Sequence, residues 1–301
     1  MERSDFQKRF FGIVPPLVTP FDDEGEVDYG LFGKEVEKML KLGISGVSVG
    51  GSTGEGETLS LEELVKLCSI AKEATGDRIP VIGGIIADST IQVIKKGLAL
   101  KKIGVDALMI TPVHYLFSNG DAGIRAFYSE IHEKTGMPII VYNVVPWNIP
   151  SPNILLKMAS EGIIASVKQS GGDIHALGDL LAQASSKLPV FTAIDDMLFP
   201  SFMLGAVGSI CAINTVLPAT SIKIFDAVKK GDYETARKLH EVILPAVREI
   251  LKPDMPARIK LVMNNSGWVV GVARRPLLVP EGKDRENILT IAKKVSQLER
   301  S

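Results

Sequence analysis

Lys168 closes an apolar run made by Ile163, Ile164, Ala165 and Val167, and Gln169, Ser170 and the pair Gly171–Gly172 follow it. An ammonium at the end of what reads as a buried strand needs a use or a partner, because burial penalises the charged form and favours the neutral amine. A neutral lysine attacks carbonyl carbon. The alternative is a lysine that snorkels to solvent or pairs with a carboxylate. Tyr142, in "VYNVVP", suits an amphipathic wall, but beside a reactive amine a phenol also carries protons through carbinolamine formation and dehydration. The turn "GGSTGEG", Gly50 to Gly56, is either a plain glycine-rich loop or a nest of backbone N–H groups which, with the hydroxyls of Ser52 and Thr53, fits one carboxylate. Asp195 and Asp196, in "AIDDMLFP", read as paired acids or as a helix N-cap. His114, His132, His175 and His240 lack metal-ligand spacing, so no metal is expected.

Groups this scattered in sequence need a scaffold that gathers them. Eight short Val- and Ile-rich runs recur along 301 residues, each followed by a helix-length segment: Gly12 to Pro20, Gly46 to Gly51, Ile79 to Ile86, Asp106 to Pro112, Pro138 to Val144, Ile163 to Ser170, Pro189 to Asp195 and Gly208 to Asn214. The pattern predicts an α/β fold with a parallel (β/α)8 TIM barrel over residues 1–231 and a helical C-terminal extension over 232–301. An open doubly wound sheet would carry a GxGxxG or GxxxxGK[ST] loop after its first strand, and "IVPPLVTPF" has neither. Val27, Leu31, Val36, Met39 and Leu40 mark one helical face, and "SLEE" at Ser60 to Glu63 reads as a capping box. Barrel enzymes place their reacting groups at the C-terminal strand ends, where the runs bearing Lys168, Tyr142, the Ser52–Thr53 turn and Asp195 converge.

Lys+Arg 34 against Asp+Glu 35 leaves a net charge of −1, so the field that would attract nucleic acid or an anionic membrane is missing and a small molecule is the expected partner. Cys68 and Cys211 read as core thiols of a reduced compartment, and no run reaches the ~20 apolar residues of a membrane span. A cytoplasmic protein is expected.

From "GIVPPLVTPF" through "GVSVGGSTGE", "ITP", "IIVYNV" and "VKQSGGD" to "AIDDMLFPSFMLGAVGSICAIN", the chain resembles the dihydrodipicolinate synthase and N-acetylneuraminate lyase family of Schiff-base aldolases and lyases. The resemblance implies a barrel with a helical appendage, assembled as a homotetramer of two tight dimers and needing no cofactor. It gives Lys168 the role of Schiff-base lysine, Tyr142 that of proton-transfer tyrosine and Ser52 that of relay hydroxyl. Thr53, with neighbouring backbone at Gly51 and Gly54, takes the place of the keto-acid carboxylate binder. Ile210 falls where the family sets a main-chain carbonyl over the site.

Two departures bear on specificity. The family's second relay tyrosine, which enters a neighbouring subunit, is replaced by His114, with Tyr115 one step late. Where the synthase branch has a carboxylate-gripping arginine, this chain has Trp147 and Asn148, so Asn148 is expected to offer a substrate neutral hydrogen bonds. Arg125, Lys223 and Arg258 are other possible sources of the missing charge. The expected activity is a lyase that joins Lys168 to pyruvate or a longer 2-keto acid. Aldol cleavage or condensation of a sugar-derived 2-keto-3-deoxy acid ranks first, then dehydration or deamination, then dihydrodipicolinate synthesis proper. A non-catalytic keto-acid sensor is the alternative of another class.

Overall fold

The computed structural model describes residue 6 and residues 8–170, 173–184 and 187–299. Its eight strands are β1 Gly12–Ile13, β2 Val47–Val49, β3 Val81–Ile85, β4 Ala107–Ile110, β5 Ile139–Asn143, β6 Ser166–Gln169, β7 Val190–Thr192 and β8 Gly208–Ser209. All pair in parallel, in the order β1-β8-β7-β6-β5-β4-β3-β2. The remaining seam is closed by a bridge between Pro16 and Ser48. Pro15 and Pro16 have no N–H to donate, which keeps β1 short. The Pro15 carbonyl accepts from the Ser48 N–H and the Leu17 N–H donates to the Ser48 carbonyl, at 3.0 and 2.9 Å.

Every strand residue is buried, as in a parallel sheet covered by helices on one side and packed side chains on the other. Register puts Tyr142, Lys168 and Phe191 side by side on one face. That face carries a distinct apolar cluster of Phe6, Phe10, Val14, Ile82, Ala107, Met109, Ile140, Tyr142, Phe191 and Ile210, with the Phe6 and Phe10 rings stacked 4.0 Å apart. Lys168 therefore projects into the barrel.

The helices between strands are α1 Tyr29–Lys41, α2 Leu61–Thr75, α3 Thr90–Lys102, α4 Gly120–Thr135, α5 Pro152–Ser160, α6 Ile174–Ala184 and α7 Leu198–Met203. After β8 come α8 Ile213–Val216, α9 Pro218–Lys229, α10 Tyr233–Ile250, α11 Met255–Asn264 and α12 Gly282–Leu298. Ser60 and Glu63 form the capping box at the start of α2. The buried face of α1 is Phe32, Glu35, Val36 and Met39, so a glutamate sits where only apolar residues were expected. The last strand is shorter than its apolar run suggested. Asp195 accepts the Ile213 N–H at 2.6 Å and Asn214 Nδ2 bonds back to the Ser209 carbonyl at 3.0 Å, turning Cys211 to Asn214 out of the sheet and into α8. Among the described residues no helix is long and apolar enough to cross a membrane.

Candidate active site

Parallel pairing of β5 and β6 sets Tyr142 opposite Lys168. Both are buried, and the Lys168 Nζ lies 3.6 Å from the centre of the Tyr142 ring. The ring face stabilises an ammonium while the phenol points onward, its oxygen 3.2 Å from Ser52 Oγ. Amine, phenol and hydroxyl thus form a continuous chain from β6 to the turn after β2.

That turn begins with Gly50 at φ +77° and runs through a short 3-10 stretch, Ser52–Gly54. A Cβ at Gly56 would strike the Gly50 carbonyl, so the turn closes only with glycine there. The N–H groups of Gly54, Glu55 and Gly56 bond back to Gly51, Ser52 and Gly51. Ser52 and Thr53 open the stretch, where backbone N–H groups have no acceptor within the turn and can serve an anion. Thr19 Oγ1 donates to the Gly54 carbonyl at 2.6 Å and pins the turn against the first strand.

These residues line one cavity of about 310 Å³, walled by Ser52, Thr53, Tyr142, Val144, Lys168, Ser170, Ala193, Ile194, Asp195, Asp196, Ile210, Ala212, Leu251 and Met255. Among the described residues of that wall, Lys168 is the only cation. Burial raises the Asp195 carboxyl to about 6, against the Ile213 N–H and the Lys168 charge, which favour its ionised form. Asp196 sits at the rim and takes the Arg248 guanidinium at 2.6 Å. Leu251 and Met255 come from the corner between α10 and α11. No local motif in the sequence announces either one, whereas Ser170, two residues beyond Lys168, was within reach of inspection.

Of the expected site residues, Lys168, Tyr142, Ser52, Thr53 and Ile210 gather here, while Gly51 and Gly54 shape the turn from behind. Asn148 does not join them. It is buried outside the cavity, with Oδ1 accepting the Asn119 N–H at 2.7 Å and Nδ2 donating to the Val113 and Phe117 carbonyls at 2.7 and 2.8 Å. Both amide protons and one lone pair of Oδ1 go to backbone, and Asn148 does not line the cavity that holds Lys168. The Trp147 indole N–H likewise goes to the Tyr115 carbonyl, at 3.0 Å. His114 lies beside Asp88, Nδ1 to Oδ1 3.0 Å, and Tyr115 is largely exposed; neither lines the cavity of its own chain. Gly171 and Gly172 lie outside the described residues. Arg125 pairs with Glu161, and Arg258 with Glu249, Asp254 and Asp284, so both guanidinium groups are engaged elsewhere.

The 4-hydroxy-tetrahydrodipicolinate synthase of Exiguobacterium sibiricum is 31% identical over 271 residues, 89% of this chain and 92% of the relative. The dihydrodipicolinate synthase structure from Thermotoga maritima superposes with a TM-score of 0.89 at 27% identity, covering 96% of this chain and 99% of its own. A sialic acid aldolase from Ruminococcus gnavus shares the fold, with a TM-score of 0.89 at 20% identity and coverage of 97% and 99%. The sequence model described as the dihydrodipicolinate synthetase family matches residues 9–295, and the chain belongs to that family.

Proposed function

We propose that Lys168 forms a Schiff base with pyruvate or a longer 2-keto acid, and that Tyr142 and Ser52 move the protons. The observation that carries this reading is the unbroken run from Lys168 Nζ across the Tyr142 ring to Ser52 Oγ within one cavity. The protein is a lyase of the class I aldolase type. In the reaction derived from this geometry, the Lys168 amine adds to the C2 carbonyl, Tyr142 protonates the oxygen, and a second proton, from the adding nitrogen, lets that oxygen leave as water and leaves the protonated imine. The Tyr142 oxygen, having given up its proton, takes the C4 hydroxyl proton while the protonated imine draws the electrons of the C3–C4 bond, and C4 departs as an aldehyde. Protonation of the resulting enamine at C3 and hydrolysis of the imine return the keto acid and the free lysine. Thr53 and the N–H groups at the start of its turn hold the substrate's C1 carboxylate.

For the remainder of the substrate, the cavity supplies hydroxyls from Ser52 and Ser170, the Asp195 carboxyl, and apolar walls from Val144, Ile194, Leu251 and Met255. This lining favours an uncharged, hydroxyl-bearing chain, so cleavage or condensation of a sugar-derived 2-keto-3-deoxy acid remains the first choice. The synthase names of the curated relatives support the second reading, condensation of pyruvate with aspartate semialdehyde. Five exposed apolar side chains, Tyr115, Leu116, Phe117, Trp147 and Ile149, support self-association to a homotetramer, which sedimentation of the purified chain tests.

Borohydride reduction in the presence of pyruvate, followed by peptide mapping, tests the mechanism. A single reduced adduct on Lys168 is expected. Adducts scattered over surface lysines, or none with any 2-keto acid, would refute it.

A further inference from the structure

Glu55 is the one non-glycine among the described residues with positive φ, at +54°. A side chain in this left-handed region is disfavoured by its own Cβ, so glycine would be the unstrained choice. Glu55 nonetheless carries a fully buried carboxylate with two defined partners. Oε1 takes the Lys260 ammonium at 2.6 Å, and Oε2 takes the Arg274 N–H at 2.8 Å.

Lys260, on α11, is itself buried and uses its other protons on the Thr19 and Val272 carbonyls, at 2.5 and 2.6 Å. Thr19 is the residue whose hydroxyl holds the Gly54 carbonyl. The lysine therefore grips the Ser52–Thr53 turn twice, directly through Glu55 and indirectly through Thr19. Neither Glu55 nor Lys260 lines the catalytic cavity. Buried ion pairs add little net stability compared with apolar packing, which leaves geometry as the stronger reason for this one.

We propose that Glu55 and Lys260 are positioning residues, a buried ion pair through which the C-terminal helices set Ser52 and Thr53 for the substrate carboxylate. The proposal rests on the Schiff-base reading above and on Thr53 as the carboxylate binder.

A double-mutant cycle tests it, with Glu55→Gln/Lys260→Met removing both charges at similar volume and Thr53→Val removing the hydroxyl. The readout is the pyruvate concentration giving half-maximal borohydride trapping on Lys168, with circular dichroism as the control for folding. In the native background Thr53→Val is expected to raise that concentration about tenfold, the scale of a lost hydrogen bond to a charged group. In the Glu55→Gln/Lys260→Met background, itself raised about tenfold, Thr53→Val should add less than about twofold, because the hydroxyl is no longer in place to be lost. Glu55→Gln alone repeats the cycle should the pair fail to fold. Equal penalties from Thr53→Val in both backgrounds would overturn the positioning role while leaving the mechanism intact. Absence of trapping in the native protein would overturn both.

Discussion

Lys168 Nζ rests 3.6 Å from the centre of the Tyr142 ring, while the Tyr142 oxygen lies 3.2 Å from Ser52 Oγ. One side chain therefore performs two separable tasks. Its ring face packs against the Lys168 amine, and its oxygen links that amine's neighbourhood to the hydroxyl of the turn.

Tyr142→Phe separates the two, because it keeps the ring and deletes only the phenolic oxygen. The variant is expected to fold normally and to bind keto acid, with turnover slowed by about a hundredfold or more, the scale of a positioned proton-transfer group. Steady-state kinetics together with borohydride trapping measure both parts. Turnover near the native rate would mean that the protons travel by another route.

The second substrate should be sorted by charge. An unpaired carboxylate leaving water loses several kcal/mol even after relaxation, and the described residues of the cavity wall offer it no cation beyond Lys168. A neutral hydroxy-aldehyde should show a larger kcat/KM with pyruvate than aspartate semialdehyde does. A clear preference for the semialdehyde would restore synthase specificity and require a cation delivered from outside this wall.

Asn148 ties the loop after β4 to the loop after β5 through three hydrogen bonds to backbone. Asn148→Leu removes three part-buried hydrogen bonds to backbone, and a typical intramolecular hydrogen bond contributes about 0.5–1.5 kcal/mol. The midpoint of urea unfolding should fall, while pyruvate trapping on Lys168 persists because the amide lies outside the cavity. An unchanged midpoint would show that these backbone groups find other partners.

Glu35 should make a contribution to stability that declines as pH rises. Burial lifts its carboxyl from 4.5 to about 8, against the Val18 N–H and the Lys260 charge, and Oε2 has no hydrogen-bond partner among the described residues. Between those values the folded protein holds a proton that the unfolded chain has released. The group's contribution is thus fully favourable below pH 4.5 and is lost as pH climbs towards 8, with a slope of about 1.4 kcal/mol per unit. Asp195, raised from 3.8 to about 6, acts in the same direction at lower pH. Glu35→Gln should flatten the profile between pH 6 and 8. Parallel profiles for the native protein and the variant, measured by urea unfolding, would refute this assignment.

Legible in the residues alone were the alternation of strand and helix, the capping box at Ser60, and the candidates Lys168, Tyr142, Ser52 and Thr53. Each of these is encoded locally: a strand shows in a short apolar run, a cap in a four-residue pattern, and a buried lysine in the cost of its charge. Tertiary structure alone decided what touches what. The amide of Asn148 faces backbone of the single loop after β4, because three partners 29 to 35 residues away are folded around it. Leu251 and Met255 reach the cavity only because the α10–α11 corner is laid over the barrel mouth. Glu55 and Lys260, separated by 205 residues, carry no shared local signal, and their pairing arises from the docking of α11 behind the Ser52–Thr53 turn. Local patterns record the preferences of single segments, whereas partner choice across the barrel depends on chain closure and the packing of distant elements.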